Sequence, residues 1–272
     1  MSPVQTVAQV FDAIQQAKTG AADFTTNFFP VEKRLQDWIA RSELACEQTK
    51  GVALFFRKDR DFQHLYYAAS DVDALQAGLS ALLALKSEKV VLDIVGKEAG
   101  LAEFLTKWEQ SGFRRYTKLF RMARIATPVE AVSDEAGIEF GQTGDAKQIL
   151  SLLEDQFDCY GEQVPLLYEL EAAIAQQQIL VARRDGEVAG LLFFETQGVS
   201  STLRFWTVGG KFQGLRLGSA LMRRYFTTQN VVKRFVLWVA ADNANAIQKY
   251  EHYGYKPDGL VDYVLVNQLI RS

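Results

Sequence analysis

An α/β fold with a mixed sheet, repeated along the chain, is what this sequence predicts. Segments typical of strands alternate with segments typical of helices from end to end. A small, polar and acidic stretch at residues 126–137, with one proline and one glycine, interrupts the pattern near the middle. The same order of elements then restarts, which favours an internal duplication. We therefore predict two domains, at residues 1–130 and 137–272.

The first half opens with two segments that have a helical apolar stripe, at residues 1–17 and 31–44. Two strands joined by a charged turn follow at 52–56 and 64–69. The dipeptide Ser70-Asp71 is a helix start, and the helix should run to about residue 85. A buried strand at 89–95, a helix that stops at Gly112 and a long strand at 114–125 complete this half.

The second half repeats this plan with extra helices. A short strand at 137–142 precedes helices at 145–160 and 165–176. A hairpin follows at 178–198, with Asp185-Gly186 at its turn. The remaining segments are a strand at 201–208, a glycine loop with a helix, a strand at 234–240, a helix ending at Gly254 and a last strand at 262–269.

Matched spacing supports the duplication. From the helix start at Asp71 to Gly112 is 41 positions, and from Gly214 to Gly254 is 40 positions. Each of the two later glycines is followed by an aromatic residue, and a buried-type strand lies between the two landmarks in both halves. A further aromatic lies four residues before each of these glycines: Trp108 in the first half and Tyr250 in the second.

Composition excludes several classes of function. The 272 residues are 48% hydrophobic and 23% charged, with a net charge of −3, so no broad basic field could hold a nucleic-acid backbone. No apolar run is long enough to cross a bilayer, and the N-terminus does not read as a signal peptide. We expect a cytoplasmic protein that binds neither nucleic acid nor membrane.

Histidine and cysteine are too sparse for a metal centre. The two histidines, His64 and His252, and the two cysteines, Cys46 and Cys159, lie far apart and have no ligand spacing. Cys159 has no histidine or lysine beside it in sequence to lower its pKa, so we interpret it as a packing residue. The sequence predicts no metal.

The stretch KFQGLRLGSALMRRYF at 211–226 carries the clearest chemical signal. Two glycines, Gly214 and Gly218, follow a strand and introduce a helix that has no strong capping side chain in front of it. The first N–H groups of such a helix lack partners and carry the positive end of the helix dipole. Glycine lets an anion approach the main chain closely, so a phosphate site is one explanation and simple turn geometry is the other.

The order of motifs resembles the GCN5-related N-acetyltransferase (GNAT) family. The family's first motif has a Gln or Arg, then two residues, a Gly, one residue, and a Gly or Ala. It corresponds here to residues 213–218, with Arg216 at the usual place of the first glycine. The family's second motif has an Asn, a Tyr seven positions later, and then Gly-Phe or Gly-Tyr. It corresponds here to Asn243, Tyr250 and Gly254-Tyr255. The resemblance covers roughly residues 137–268.

This resemblance implies a GNAT fold, acetyl-CoA as co-substrate and an amine as acceptor. The pyrophosphate would rest on the main chain of the glycine loop, and the pantetheine arm would pair with the end of the strand at 201–208, which should splay from the strand at 234–240. Asn243 would contact the cofactor or hold its helix in place, and Tyr250 would be the general acid. The implied cofactor-binding residues are Trp206, Thr207, Val208, Gln213, Gly214, Leu215, Arg216, Leu217, Gly218, Ser219 and Asn243.

The first half departs further from the family pattern. It has no glycine loop, and Asp71 and Asp73 occupy the first turn of its helix, where they would repel a phosphate. We interpret it as a degenerate copy that binds no cofactor and has a structural role or a role in acceptor selection.

Other functions remain open from the sequence. A non-catalytic CoA-binding or sensing module would keep the same motifs, and an enzyme using a longer acyl group would differ only in pocket size. The acids near Cys159 (Glu154, Asp155, Asp158 and Glu162) could border an acceptor site or form a solvated helix face. Glu195 could relay a proton through water. The sequence does not identify the acceptor amine or the oligomeric state.

Overall fold

The structure is a computed structural model that describes residues 1–83, 88–126, 137–267 and 270. The chain divides into two compact units. One contains Met1–Leu119 together with Leu260–Ser272, and the other contains Phe120–Gly259. Most of the predicted linker, residues 127–136, lies outside the described residues.

The elements of the first half follow the predicted order, with three strands that the sequence does not predict, at Ser2–Pro3, Thr25–Thr26 and Leu44–Thr49. Its strands are β1 (Ser2–Pro3), β2 (Thr25–Thr26), β3 (Leu44–Thr49), β4 (Val52–Asp59), β5 (Phe62–Ala69), β6 (Lys89–Lys97) and β7 (Phe113–Ile125). Its helices are α1 (Val7–Lys18), α2 (Glu32–Ala40), α3 (Val72–Leu83) and α4 (Glu98–Gln110). In the first unit β1, β3, β4 and β5 are antiparallel neighbours, and β5 continues to β6 in parallel.

The second half repeats this arrangement. Its strands are β8 (Ile138–Phe140), β9 (Ile179–Arg184), β10 (Glu187–Gln197), β11 (Ser200–Val208), β12 (Arg234–Ala240) and β13 (Lys256–Asn267). Its helices are α5 (Ala146–Gln156), α6 (Cys159–Glu162), α7 (Leu167–Ala175), α8 (Leu217–Thr228) and α9 (Ala244–His252). Strands β8 to β11 form an antiparallel meander, and β11 pairs with β12 in parallel. Asp185 and Gly186 both have positive φ, as the predicted hairpin turn requires.

The Gly-aromatic pairs explain the matched spacing in atomic terms. Gly112 and Gly254 both have positive φ (91° and 81°) and directly follow the C-cap residue of a helix, Ser111 or Tyr253, where glycine ends α-helices without strain. The next aromatic is buried and meets the aromatic four residues before the glycine. Trp108 and Phe113 lie 5.2 Å apart at 85°, and Tyr250 and Tyr255 lie 6.0 Å apart at 69°.

The last strand does not follow the predicted domain boundary. We assigned residues 137–272 to the second domain, but Leu260–Val266 of β13 pairs antiparallel with β6 of the first unit. Val261, Val264, Leu265 and Val266 are buried there. The alternation of apolar residues predicts a strand but not its partner, because pairing between distant segments leaves no local signal.

Candidate functional site

The parallel pair β11–β12 opens into a cleft, as predicted. Matched residues run from Ser200 opposite Arg234 to Leu203 opposite Leu237. Beyond this point β11 continues for five more residues to Val208 without a register partner on β12, and β12 continues to Ala240. On its other edge β11 stays paired with β10 up to Gly190 opposite Val208. One edge of the end of β11 is therefore available to an extended ligand.

The direction of the backbone groups at this edge follows from the pleat. The N–H of Gly209 donates to the carbonyl of Ala189 at 2.9 Å, toward β10. Main-chain groups of successive residues in a strand point to opposite edges. The N–H of Val208 therefore points toward the cleft, where it is placed to donate to a ligand's carbonyl oxygen.

The glycine loop lies between the end of β11 and helix α8. After the short 3₁₀ turn Gly210–Phe212, Gly214 adopts a φ of 84°, and α8 begins at Leu217 with no side-chain cap. The side chain of Leu217 is buried in the core, Ser219 is half-buried and Leu215 is 54% exposed. The N–H groups of the first helical turn thus remain available for an anion.

Arg216 replaces the family's first glycine at a position that still requires glycine geometry. Its φ of 57° and ψ of 17° lie in the left-handed region, and it is the residue directly before α8. For a residue with a Cβ this conformation costs roughly 1–2 kcal/mol. The arginine therefore adopts a conformation that glycine would adopt without strain, and its side chain is exposed.

Gly218 has a different neighbour from the one the sequence suggested. We expected its missing Cβ to make room for a pyrophosphate, but a Cβ there would meet the indole of Trp206 at 3.3 Å. The indole N–H of Trp206 donates to the carbonyl of Gly218 at 3.1 Å. Trp206 thus fixes the first turn of α8 against the end of β11, where Thr207 and Val208 are half-buried.

Asn243 is placed to hold its helix. Its side-chain oxygen accepts a hydrogen bond from the N–H of Ala246 at 3.0 Å and so caps α9. This matches the second of the two roles that the motif left open. The cap also fixes the orientation of α9, which carries Tyr250.

Tyr250 faces the same aromatic side chain that holds the glycine loop. Its ring centroid lies 5.6 Å from that of Trp206, and the residue is only 8% exposed. Its hydroxyl makes no hydrogen bond within the described part of the chain. Burial, and to a smaller extent the charge of Glu162, raises the pKa of Tyr250, so the phenol keeps its proton throughout the neutral range.

Glu162 is the acid whose charge contributes to the raised pKa of Tyr250. It ends α6, where the N–H of Asp158 donates to its carboxylate at 3.1 Å. Burial raises the pKa of Glu162, and the charges of Asp158 and Asp242 raise it further. The sequence placed Glu162 among four acids without distinguishing it, because a four-residue helix leaves almost no periodic signal.

Glu195, the other proposed proton relay, lies at the wrong end of its strand. It is opposite Thr202, six residues before Val208, which is about 20 Å along β11 at the usual rise per residue. It forms an ion pair with Arg204 at 3.5 Å. The suggestion that Glu195 relays a proton in the cleft is therefore wrong.

Two other expectations concern Cys159 and metals. Cys159 is half-buried and packs against an apolar cluster that contains Ile149 and Leu153. Within the described ranges, no three His, Cys, Asp or Glu side chains come together as they would around a metal ion. The same part of the chain contains no helix with the length and hydropathy needed to span a membrane.

Residues 146–255 match the model of the acetyltransferase (GNAT) family. No curated protein matches the chain by sequence.

Solved structures resemble the chain over most or all of its length. A GCN5-related N-acetyltransferase from Sphaerobacter thermophilus is 16% identical, with a TM-score of 0.59 over 98% of this chain and 92% of that one. A tandem GNAT protein from the clavulanic acid biosynthesis pathway is 12% identical, with a TM-score of 0.59 over 100% and 98%. A GNAT-family protein from Novosphingobium aromaticivorans is 19% identical, with a TM-score of 0.56 over 84% and 92%.

These likenesses show the fold of both halves, and the family match identifies the half that contains the cleft. The chain therefore has a duplicated GNAT fold, and its residues 146–255 match the acetyltransferase (GNAT) family.

Proposed function

We propose that the second unit binds acetyl-CoA and transfers its acetyl group to a primary amine. The observation that carries this proposal is the opening of β11 from β12 beside the uncapped start of α8. Release of free thiol from acetyl-CoA, measured against a panel of amines, tests it. Amine-dependent thiol release supports the proposal, whereas binding of acetyl-CoA without turnover on any amine supports the alternative of a CoA-binding or sensing module.

The proposed cofactor position uses backbone groups along two elements. The main-chain N–H groups of residues 213–219 would hold the pyrophosphate, with the dipole of α8 favouring its negative charge. The pantetheine arm would pair with the free edge of residues 206–208 as an added strand. The N–H of Val208 would donate to the thioester oxygen and stabilise the negative charge that develops there.

The proposed reaction is a direct attack by the neutral amine on the thioester carbon. A C–N bond forms, the C–S bond breaks and the thiolate leaves with the electron pair. Tyr250 gives its proton to this sulfur, and Glu162 accepts the proton that the ammonium group loses. The raised pKa of Glu162 makes its carboxylate a better base, and the raised pKa of Tyr250 keeps the phenol protonated, so that it has a proton to give.

Glu162→Gln should lower kcat/KM by roughly 10²-fold, because the amide cannot accept a proton. It should also remove the acid limb of the pH profile that Glu162 produces. The raised pKa means that wild-type activity falls as pH decreases through that pKa, since Glu162 becomes protonated and can no longer act as a base.

Stability separates this effect from unfolding. A carboxyl group whose pKa is raised by folding destabilises the folded state above its unfolded pKa, so the glutamine variant should be at least as stable at neutral pH. Asp155→Asn, on the exposed face of α5, is the matched control and should leave the profile unchanged. An unaltered acid limb in Glu162→Gln would assign the proton acceptor elsewhere.

A further inference from the structure

The first unit contains a second cleft of the same design. Strands β5 and β6 pair in parallel only from Phe62 opposite Lys89 to His64 opposite Val91. Strand β5 then continues to Ala69 and β6 to Lys97. This is the same early divergence that β11 and β12 show, followed in both units by a helix. A cavity of about 680 Å³ lies here, lined by Val72 at the start of α3 and by Leu101 and Phe104 of α4.

A segment of the chain's own N-terminal region occupies the diverging edge. Strand β2, Thr25–Thr26, pairs antiparallel with Ala68 and Ala69 of β5. The hydroxyl of Thr26 donates to the carbonyl of Tyr67 at 2.5 Å. An added strand on this edge is the arrangement proposed for the pantetheine arm on β11.

Asn27 then bridges the two strands. Its side-chain oxygen accepts from the N–H of Tyr67 at 2.7 Å. Its side-chain NH₂ donates to the carbonyls of Leu65 on β5 and Asp93 on β6, both at 3.2 Å. One amide thus satisfies three main-chain groups that the divergence of the strands leaves unpaired.

Phe28 anchors the segment in the core. It is 5% exposed, and its ring lies 4.7 Å from that of Tyr66 and 4.9 Å from that of Phe55. The start of α3 is also occupied, because Asp71 accepts from the N–H of Ala74 at 2.7 Å. Peptide and carboxylate groups of the chain therefore fill the two places where a pantetheine arm and a pyrophosphate would lie.

We infer that residues 25–28 are a built-in occupant of the first unit's cleft, in the place of a cofactor's pantetheine arm, and that Asn27 fixes them there. This inference stands on the pairing within the first unit and does not depend on turnover in the second. It accounts for the pairing of main-chain groups that the diverging strands expose in this half.

Hydrogen–deuterium exchange of the full chain tests the inference. Asn27→Ala removes the acceptor of the Tyr67 N–H, so the peptide covering residues 65–69 should exchange roughly ten- to a hundredfold faster. Asn230→Ala, at an exposed turn of the second unit, is the control and should not change this peptide. Thr26→Val is a milder second variant that removes one hydroxyl bond, and it should accelerate exchange in the same peptide.

Pantetheine, which has amide groups but no phosphate, tests whether the edge of β5 can bind a pantetheine arm once the segment is loosened. At millimolar concentration it should slow exchange of residues 65–69 in Asn27→Ala and have no effect there on the wild type. The inference would be overturned by unchanged exchange at Tyr67 in Asn27→Ala, by a failure of pantetheine to protect that variant, or by protection of these residues in the wild type by acetyl-CoA.

Discussion

Replacing Tyr250 by phenylalanine should reduce turnover by roughly 10²-fold or more, with little change in the affinity for CoA. Expulsion of the thiolate requires a proton, and the buried phenol is positioned beside Trp206 at the mouth of the proposed cofactor site. The substitution keeps the ring, its contact with Trp206 and its contact with Tyr255. Because the hydroxyl has no partner among the described residues, its loss leaves no buried group unpaired.

Tyr225→Phe is the matched control for this experiment. Tyr225 is another buried tyrosine of the same unit, and its hydroxyl donates to that of Ser201 at 2.8 Å. Its loss should reduce stability by about 1 kcal/mol and leave turnover unchanged. Wild-type turnover in Tyr250→Phe, measured with a confirmed acceptor, would make Tyr250 a packing residue and leave the acid unassigned.

A fragment of residues 137–272 should fail to give soluble, folded protein. It follows the boundary that the sequence suggests, but it keeps Leu260–Val266 and removes both β6 and β7, the strands on either side of β13 in the sheet. An apolar strand with an unpaired edge promotes aggregation. A fragment of residues 120–259 contains the whole second unit without this strand, so it should remain soluble to a much greater extent.

Size-exclusion chromatography of the two fragments, followed by the thiol-release assay, distinguishes these outcomes. If the 137–272 fragment were monomeric and as active as the full chain, the pairing of β13 with its two neighbouring strands would be dispensable. The expectation that the first half has a structural or acceptor-selecting role would then be wrong as well.

Local sequence signals predicted much of the fold and of the cleft. The helix-ending glycines, the hairpin turn at Asp185-Gly186 and the glycine loop each depend on a few neighbouring residues, and the structure places them as predicted. The resemblance to the GNAT family predicted that the end of β11, the start of α8 and helix α9 lie around one site. In the structure, Trp206 of β11 contacts both Gly218 of α8 and Tyr250 of α9.

The features that sequence did not predict all depend on contacts between distant segments. Nothing near Asn27 indicates that its amide will bridge two strands 38 and 66 residues away. The burial of Glu162 and its effect on Tyr250 depend on how α6 packs, not on its four residues. The glycine at 218 was expected to admit a phosphate, whereas its immediate neighbour is an indole from the preceding strand.

Calorimetric titration of the full chain with acetyl-CoA tests the central claim most directly. We expect one site per chain, and we expect Gly218→Glu to abolish it. The new Cβ would push against Trp206, and the carboxylate would compete for the N–H groups at the start of α8. Gly218→Ala, which adds the Cβ without a charge and is a residue the family motif accepts, should weaken binding much less. Two equivalent sites in the wild type, or undiminished binding by Gly218→Glu, would contradict the assignment of the cofactor to the second unit alone.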